Sequence, residues 1–184
     1  MKKTRMLIAT LVCAVMLMGV GYAWWTDTIT LGGTVATGHM DVIFSQASLS
    51  GFDSIVGASA SLSDDQKTIT CNFDNLYPGA QGVLNTGIIN NSSIPVKLSN
   101  VNVAFTGDVE QLKDHLLVSL SPNSGFVSID QFVNNTKGNI NRLGIGENVN
   151  SQIYFKMNEE ASNDTTEGKS IGLTITYEWQ QFNR

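Results

Sequence analysis

The sequence predicts an all-β protein, an antiparallel two-sheet sandwich of jelly-roll-like type with one or two short helices in its crossover loops. Two observations lead to this prediction. Apolar and polar residues alternate with a period of two along much of the chain beyond residue 40, as in strands with one buried face. These segments are not interleaved with the long helical patterns that parallel α/β folds require. With 184 residues and no linker-like stretch, the chain is expected to form one folded domain after its leader.

Residues 1–23 have the composition of a signal peptide. The basic residues at its start are Lys2, Lys3 and Arg5. Residues 6–20 are almost wholly apolar, and Gly21 and Ala23 place small residues where a signal peptidase reads them, so we expect cleavage between Ala23 and Trp24. The alternative is an uncut membrane anchor, because residues 6–25 are mostly apolar and a helix of that length spans roughly 30 Å.

Residues 24–184 are predicted to be the exported domain, beginning with an extended arm at about 24–31. The apolar side chains of the arm are Trp24, Trp25, Ile29 and Leu31. Trp25, Ile29 and Leu31 fall on one side of an extended chain, so the arm could be a donor strand that adds to the sheet edge of a neighbouring copy. The alternative is that the arm is an edge strand of its own domain.

Several strands are predicted in the first half of the domain. Their inward side chains are expected to be Met40, Val42 and Phe44 in one strand and Ile69, Cys71 and Phe73 in another. Strands are also expected around residues 52–60 and 83–90, with a turn at 77–79 where a proline presets φ. In residues 96–105 the alternation changes phase near Asn100, which predicts a β-bulge or bend.

Two short helices and two polar loops are predicted next. Asp108 is expected to cap a helical turn whose apolar face carries Val109, Leu112 and Leu116. The pair Ser128 and Gln131 resembles a capping box. The polar segments 134–148 and 158–169 hold little apolar material and are predicted to be exposed loops.

Two strands with clear alternation are predicted towards the end of the chain. In the first, the inward residues are Val149, Ile153, Phe155 and Met157, and the outward ones are Gln152, Tyr154 and Lys156. In the second, the inward residues are Ile171, Leu173, Ile175, Tyr177 and Trp179, and the outward ones are Thr174, Thr176 and Glu178. Both segments have the period of half-buried strands.

Charge and cysteine content limit the partners and the source of stability. Removing residues 1–23 removes three of the eleven basic residues and none of the sixteen acidic ones, so the net charge goes from −5 to −8. Nucleic acid is therefore not expected as a partner. The exported domain keeps Cys71 alone and cannot form an internal disulfide, and its alternation phase predicts a buried thiol.

The sequence offers no recognisable catalytic constellation. It contains neither HExxH nor GxSxG, and its two histidines, His39 and His115, are isolated. We therefore expect no catalytic residue, no metal site and no cofactor. A Ca²⁺ site is the alternative for the loop at 158–169, although the EF-hand spacing is missing. Its carboxylates are Glu159, Glu160, Asp164 and Glu167.

Two stretches resemble the TasA and camelysin family of exported proteins. The stretch GYAWWTDTITLGGTVATGHMDV at 21–42 is similar to the family's signal-peptide end and the start of its mature chain, with GHMDV in place of "G-x-L-D-L". The stretch FDNLYPGAQGVLNTGIINNSSIPVKL at 73–98 resembles the family's "NLYPGD", a strand, an "N-T/S-G" turn and "I-P-A-K". Met40 and Ala80 depart from the family pattern, which has Leu and an acidic residue there.

This resemblance implies a jelly-roll-like sandwich that is exported through a dedicated signal peptidase and assembles into cell-surface or biofilm-matrix fibres. Its partners would be other copies of the chain, with accessory matrix proteins as further candidates. Camelysins have also been classed as metallopeptidases, an activity for which this sequence shows no ligand set. A monomeric surface adhesin, binding carbohydrate or cell wall through Asn-rich loops and Tyr154, is the alternative from another functional class.

Overall fold

A computed structural model describes residues 2–23, 38–123, 125–136, 140–162 and 166–183. The chain divides into two compact units, Met1–Thr37 and Gly38–Arg184. The first unit contains helix α1 (Lys2–Ala23), in which the Thr10 hydroxyl donates to the Met6 carbonyl at 2.8 Å. Within the described ranges, no helix combines the length and the apolar character needed to cross a membrane.

The described residues of the second unit form nine strands and two short helices. The strands are β1 (Val42–Ser50), β2 (Gly57–Leu62), β3 (Thr68–Asp74), β4 (Gln81–Asn90), β5 (Val96–Gly107), β6 (Leu116–Ser119), β7 (Val127–Ser128), β8 (Asn148–Met157) and β9 (Ser170–Gln181). The helices are α2 (Val109–Leu112) and α3 (Ile129–Thr136).

The strands form two antiparallel sheets. Sheet A has the order β1-β4-β8-β6-β7 and sheet B the order β2-β3-β9-β5. Among the described strands, β2–β3 and β6–β7 are the pairs in which consecutive strands are hydrogen-bonded neighbours. Most other connections pass from one sheet to the other, as in jelly-roll-like wrapping. The predicted two-sheet sandwich is therefore confirmed.

The core lies between the two sheets and is built by the predicted alternation. Ile69, Cys71 and Phe73 of β3 are buried, as are the inward residues of β8 from Ile153 onward and those of β9 as far as Ile175. The Phe73 ring contacts the rings of Phe52 and Phe155, with centroids 5.5 and 5.2 Å away. Aromatic side chains therefore link both sheets and the segment before β2.

Two strands of the sandwich contain bulges. The register of β5 against β9 shifts between Leu98 and Asn100, which confirms the predicted bulge. The Ser99 hydroxyl there donates to the Glu178 carbonyl at 2.8 Å. The register of β1 against β4 shifts between Phe44 and Gln46, a bulge that the alternation did not reveal.

Three predicted elements are wrong in detail. Met40 precedes β1 and is 49% exposed: the backbone of its neighbours His39 and Asp41 bonds to the loop after β4, and the sheet begins only at Val42. Residues 53–56 form a turn closed by Val56 N donating to Asp53 O at 3.0 Å, so the strand expected at 52–60 begins at Gly57. Leu116 belongs to β6 and not to a helix.

The predicted loops contain buried anchors. Leu143 is fully buried, and its backbone pairs with Val96 through N···O distances of 3.0 and 2.7 Å. In the second loop, Ala161 and Thr166 are buried, and Thr166 donates to the Ser162 carbonyl at 2.9 Å. A single well-placed side chain can be buried when the backbone around it finds partners, which a count of apolar residues does not show.

The expected caps and the "N-T/S-G" turn have mixed outcomes. Ser128 Oγ accepts a hydrogen bond from Gln131 N at 3.3 Å, which confirms the cap of α3. Asp108 makes no side-chain cap, because its carboxylate accepts from Ser170 N at 3.0 Å. Residues 85–87, matched to the family's turn, lie inside β4 and pair with both β1 and β8.

Candidate functional site: the open lateral edge

The predicted assembly arm lies outside the part of the chain that the structure describes. Trp24, Trp25, Ile29 and Leu31 lie outside the described residues, and Ala23 is the last residue of α1. The cleavage site and the arm therefore stay predictions. A donor strand also requires an acceptor, and an acceptor edge is a property of the described sandwich.

Strand β2 is an edge with unpaired backbone groups. Within the described part of the chain its one hydrogen-bonded neighbour is β3. Ser63 N donates to Thr68 O at 3.0 Å, so the odd-numbered residues of β2 are the ones bonded to β3. Alternation in an antiparallel pair then turns the N–H and C=O groups of Ala58, Ala60 and Leu62 outward.

The neighbouring edge belongs to the second half of β1. Beyond its bulge, Ala47 and Leu49 face the core but stay half-buried, like Ala58 and Ala60 of β2. β1 and β2 lie next to each other although they belong to different sheets. We call residues 46–50 of β1 together with β2 the open lateral edge. Its inward side chains, three of them alanines, are only partly buried along this side.

No charged residue or proline protects the open lateral edge. Its two segments read QASLS and GASASL. Exposed sheet edges in soluble proteins are usually blunted by lysine, proline or inward charges, because an unprotected edge pairs readily with another strand. The composition of this edge is therefore that of an acceptor.

The first half of β1, in contrast, is covered by the β2–β3 turn. Phe44 N donates to Gln66 O at 2.8 Å, and Lys67 Nζ donates to the Val42 carbonyl at 3.0 Å. Lys67 also forms an ion pair with Asp41, and this hydrogen bond holds the pKa of the Asp41 carboxyl below its ordinary value. Strand addition along β1 is thus confined to the part beyond the bulge.

The opposite side of the sandwich is covered at the beginning of β5. Val96 and Leu98 of β5 use their outward N–H groups, donating to Leu143 O and to Ile140 O at 3.0 Å each. Helix α3 packs against β5, β6 and β7 and buries Ile129 and Phe132. The beginning of β5 therefore differs from β2, because its outward N–H groups have backbone partners.

The other predicted site residues are not brought together into a metal centre. Glu159 pairs with Lys156 at 2.6 Å, and the hydrogen bond from Lys156 lowers the pKa of its carboxyl. Glu160 is exposed, and Asp164 lies outside the described residues. Among the residues that the structure describes, no group of three or more His, Cys, Asp or Glu side chains is placed to hold a metal ion.

The open lateral edge was not identified from the sequence, although a signal for it was present. The prediction at 52–60 concerned a strand and not its position in a sheet. Residues 57–61 alternate only between small side chains, and such weak alternation, free of charge and proline, is typical of an edge that another strand could cover.

No protein-family model matches the chain, and no curated protein matches it in sequence. The resemblance of residues 21–42 and 73–98 to an exported fibre-forming family therefore rests on those motifs alone. The geometry of the open lateral edge is an observation that does not depend on those motifs.

Proposed function

We propose that this chain is an exported structural protein that polymerises by strand addition at the cell surface or in a biofilm matrix. The arm at about 24–31 of one copy would pair with the open lateral edge of the next. The observation that supports this most directly is the set of outward N–H and C=O groups at Ala58, Ala60 and Leu62, on an edge without charge or proline.

The pattern of side chains is compatible with this pairing. An added strand gains backbone hydrogen bonds from the edge and places alternate side chains against the core. The half-buried Ala47, Ala58 and Ala60 are small, and they leave room that large residues would fill. The arm supplies large side chains at Trp25, Ile29 and Leu31, with Asp27 on the same side between Trp25 and Ile29.

The asymmetry of the sandwich favours a polymer over a closed dimer. A donor at one place and an acceptor at another form a heterologous contact, which repeats head to tail unless a rotation closes it. Signal-peptide removal by a dedicated peptidase would release the arm. Accessory matrix proteins would be further partners of the polymer.

Deletion of residues 24–31 tests the donor. We expect the variant to fold as a monomer, with the circular dichroism of a β-protein, and to form no fibres in electron micrographs. Fibres of normal length from the deleted protein would refute the role of the arm.

N-terminal sequencing tests the predicted cleavage site. Applied to protein secreted by the same cells, it would show whether cleavage falls after Ala23.

Ala60→Pro tests the acceptor. Proline removes the outward N–H of Ala60 but no hydrogen bond to β3, and prolines are tolerated on edge strands in this position. We expect a folded protein that still donates its arm but no longer accepts one, so polymer length falls sharply. Ser54→Pro is the matched control, because residue 54 is the second position of the turn at 53–56, where proline is favoured.

A peptide of residues 24–31 provides a test that needs no folded variant. Added in excess to the arm-deleted protein, it should bind once per copy in sedimentation or fluorescence titrations, and Ala60→Pro should weaken that binding. Equal binding of the peptide to both proteins would show that the arm docks elsewhere.

A further inference from the structure

The outer face of sheet A carries an uncharged array of amides. Outward residues of β1, β4 and β8 lie side by side in the register of the sheet: Gln46 beside Gly87 and Asn150, and Asn85 beside Gln152. We call the side chains of Gln46, Asn85, Asn150, Gln152 and Tyr154 the amide face. It shares Gln46 with the open lateral edge, but it consists of outward side chains, whereas that edge offers backbone groups.

Hydrogen bonds within the amide face orient its side chains. Gln152 donates to Asn85 Oδ1 at 2.9 Å, and Gln46 donates to Asn150 Oδ1 at 3.4 Å. The Tyr154 hydroxyl donates to Gln152 Oε1 at 2.9 Å. Each amide has two donors and two lone pairs, so every one of them keeps capacity for a ligand. The face is therefore a partly ordered set of donors and acceptors.

Neighbouring side chains crowd around the glycine of the face. A β-carbon on Gly87 would meet Asn150 Oδ1 at 2.9 Å and would also clash with Ser45 Oγ, so glycine lets these side chains pack over the strand. The adjoining hollow has a volume of about 590 Å³. The exposed side chain of Leu120 forms part of its wall. The hollow is open enough for a chain-like ligand to pass across it.

The charge of the amide face selects among ligands. Four of its five side chains are carboxamides and the fifth is a tyrosine, so it contains no Asp, Glu, Lys, Arg or His, although the whole chain carries a net charge of −5. The next outward residue of β8, Lys156, is already paired with Glu159. A ligand that carries phosphate or carboxylate groups would have no unpaired cationic side chain to bind on this face. A neutral ligand with many hydroxyl groups does not need such a partner.

We propose that the amide face binds the sugar units of an uncharged polysaccharide. Sugar hydroxyls donate and accept at once, as carboxamides do, and the ring of Tyr154 offers a surface for the C–H face of a pyranose. Individual contacts of this kind are weak and exchangeable with water, so affinity would come from several sugars along one chain and from repeated copies of the site.

Sedimentation with insoluble polysaccharides tests this inference. Amorphous cellulose, chitin and starch granules serve as neutral probes, and soluble heparin serves as an anionic competitor. We expect the full chain to be retained on at least one neutral probe and not to be released by heparin. The Asn150→Ala/Gln152→Ala variant should bind roughly tenfold more weakly, since two or more hydrogen bonds are lost.

Matched controls keep the result specific. Asn72→Ala/Asn102→Ala removes two exposed amides from sheet B and should bind like the parent protein. Tyr154→Phe keeps the ring and should lose less binding than Tyr154→Ala. Circular dichroism and polymer length are measured on every sample. They show whether weaker polysaccharide binding comes from unfolding or from a smaller number of linked copies.

Three results would overturn the inference. They are no retention of the parent protein on any neutral probe, equal retention of the Asn150→Ala/Gln152→Ala variant, and release by heparin. Changed fibre bundling in this variant without any polysaccharide binding would instead show that the amide face contacts a second copy of the chain.

Discussion

Cys71 and Tyr177 are the residues whose ionisation is most affected by burial. Burial raises the pKa of the Cys71 thiol from 9.0 to about 12 and that of the Tyr177 phenol from 10.0 to about 12. The Tyr177 ring lies edge-on to Phe44 at 5.2 Å, and Cys71 is fully buried. Both groups are therefore held in their neutral, protonated forms in the folded protein.

These shifts predict loss of stability in alkali. Above about pH 9 the unfolded chain releases protons that the folded protein keeps, so the free energy of unfolding falls as pH rises towards 12. For Cys71 the decline approaches about 1.4 kcal/mol per pH unit. Urea unfolding at several pH values from about 8 to about 11 would measure it.

Cys71→Ala is the control for this prediction. The variant loses some packing at every pH, but its stability should decline less steeply than that of the parent between about pH 9 and pH 10, where the thiol titrates first. Identical slopes for the two proteins would show that the thiol is not held protonated by the fold.

The bulge in β5 accommodates one extra residue without turning the apolar side chains of that strand out of the core. Val96 and Leu98 before it and Val101 after it are all buried, which strict alternation would not allow. Deleting Ser99 would make Leu98–Trp179 and Asn100–Glu178 successive pairs and restore strict alternation, so these side chains would still face the core. We expect a loss of stability of only about 1 kcal/mol, because the apolar side chains stay buried and the hydrogen bond of Ser99 is lost.

Ser99→Ala distinguishes the effect of the extra residue on stability from the effect of its side-chain hydrogen bond. This variant keeps the register and loses only the bond from Ser99 Oγ to the Glu178 carbonyl, so it should cost about 1 kcal/mol. Denaturant midpoints of the two variants would be compared. Equal midpoints would mean that the bulge adds nothing to stability beyond this hydrogen bond, and a much larger loss for the deletion would contradict the expected return to a regular register.

The elements predicted well from the sequence are those whose alternation includes large apolar residues. β3, β8, β9 and the bulge of β5 belong to this group, because burial of large side chains dominates their placement. Residues 53–56 and Leu143 were misplaced, since backbone hydrogen bonds decide their structure, a local one within the turn at 53–56 and distant ones to Val96 for Leu143. The open lateral edge was missed for a related reason: position within a sheet depends on which strands pair.

At the scale of the whole molecule, net charge opposes association while the open lateral edge favours it. Copies carrying −5, or −8 after loss of residues 1–23, repel one another over the Debye length. Raising the ionic strength from about 0.01 M to about 0.1 M shortens that length from roughly 30 Å to roughly 10 Å. Polymer growth should therefore accelerate with salt.

Light scattering during growth would measure this dependence, with sucrose at equal osmolality as the control. Slower growth in salt would show that ion pairs join the copies, and the uncharged edge could not then be the principal contact. Because Asp27 and the α-amino group that cleavage leaves on Trp24 offset each other in the arm, its pairing with the uncharged edge should depend little on salt once two copies meet.

The turn that covers the first half of β1 sets an upper limit on the contact between copies. Only residues 46–50 of that strand stay accessible beyond Gln66 and Lys67, a length of roughly 17 Å. In the proposed polymer, a longer donor strand would form no further backbone hydrogen bonds with β1. Affinity should therefore stop rising with donor length. The spacing of subunits along a fibre would be fixed by the point at which the donor strand reaches this turn.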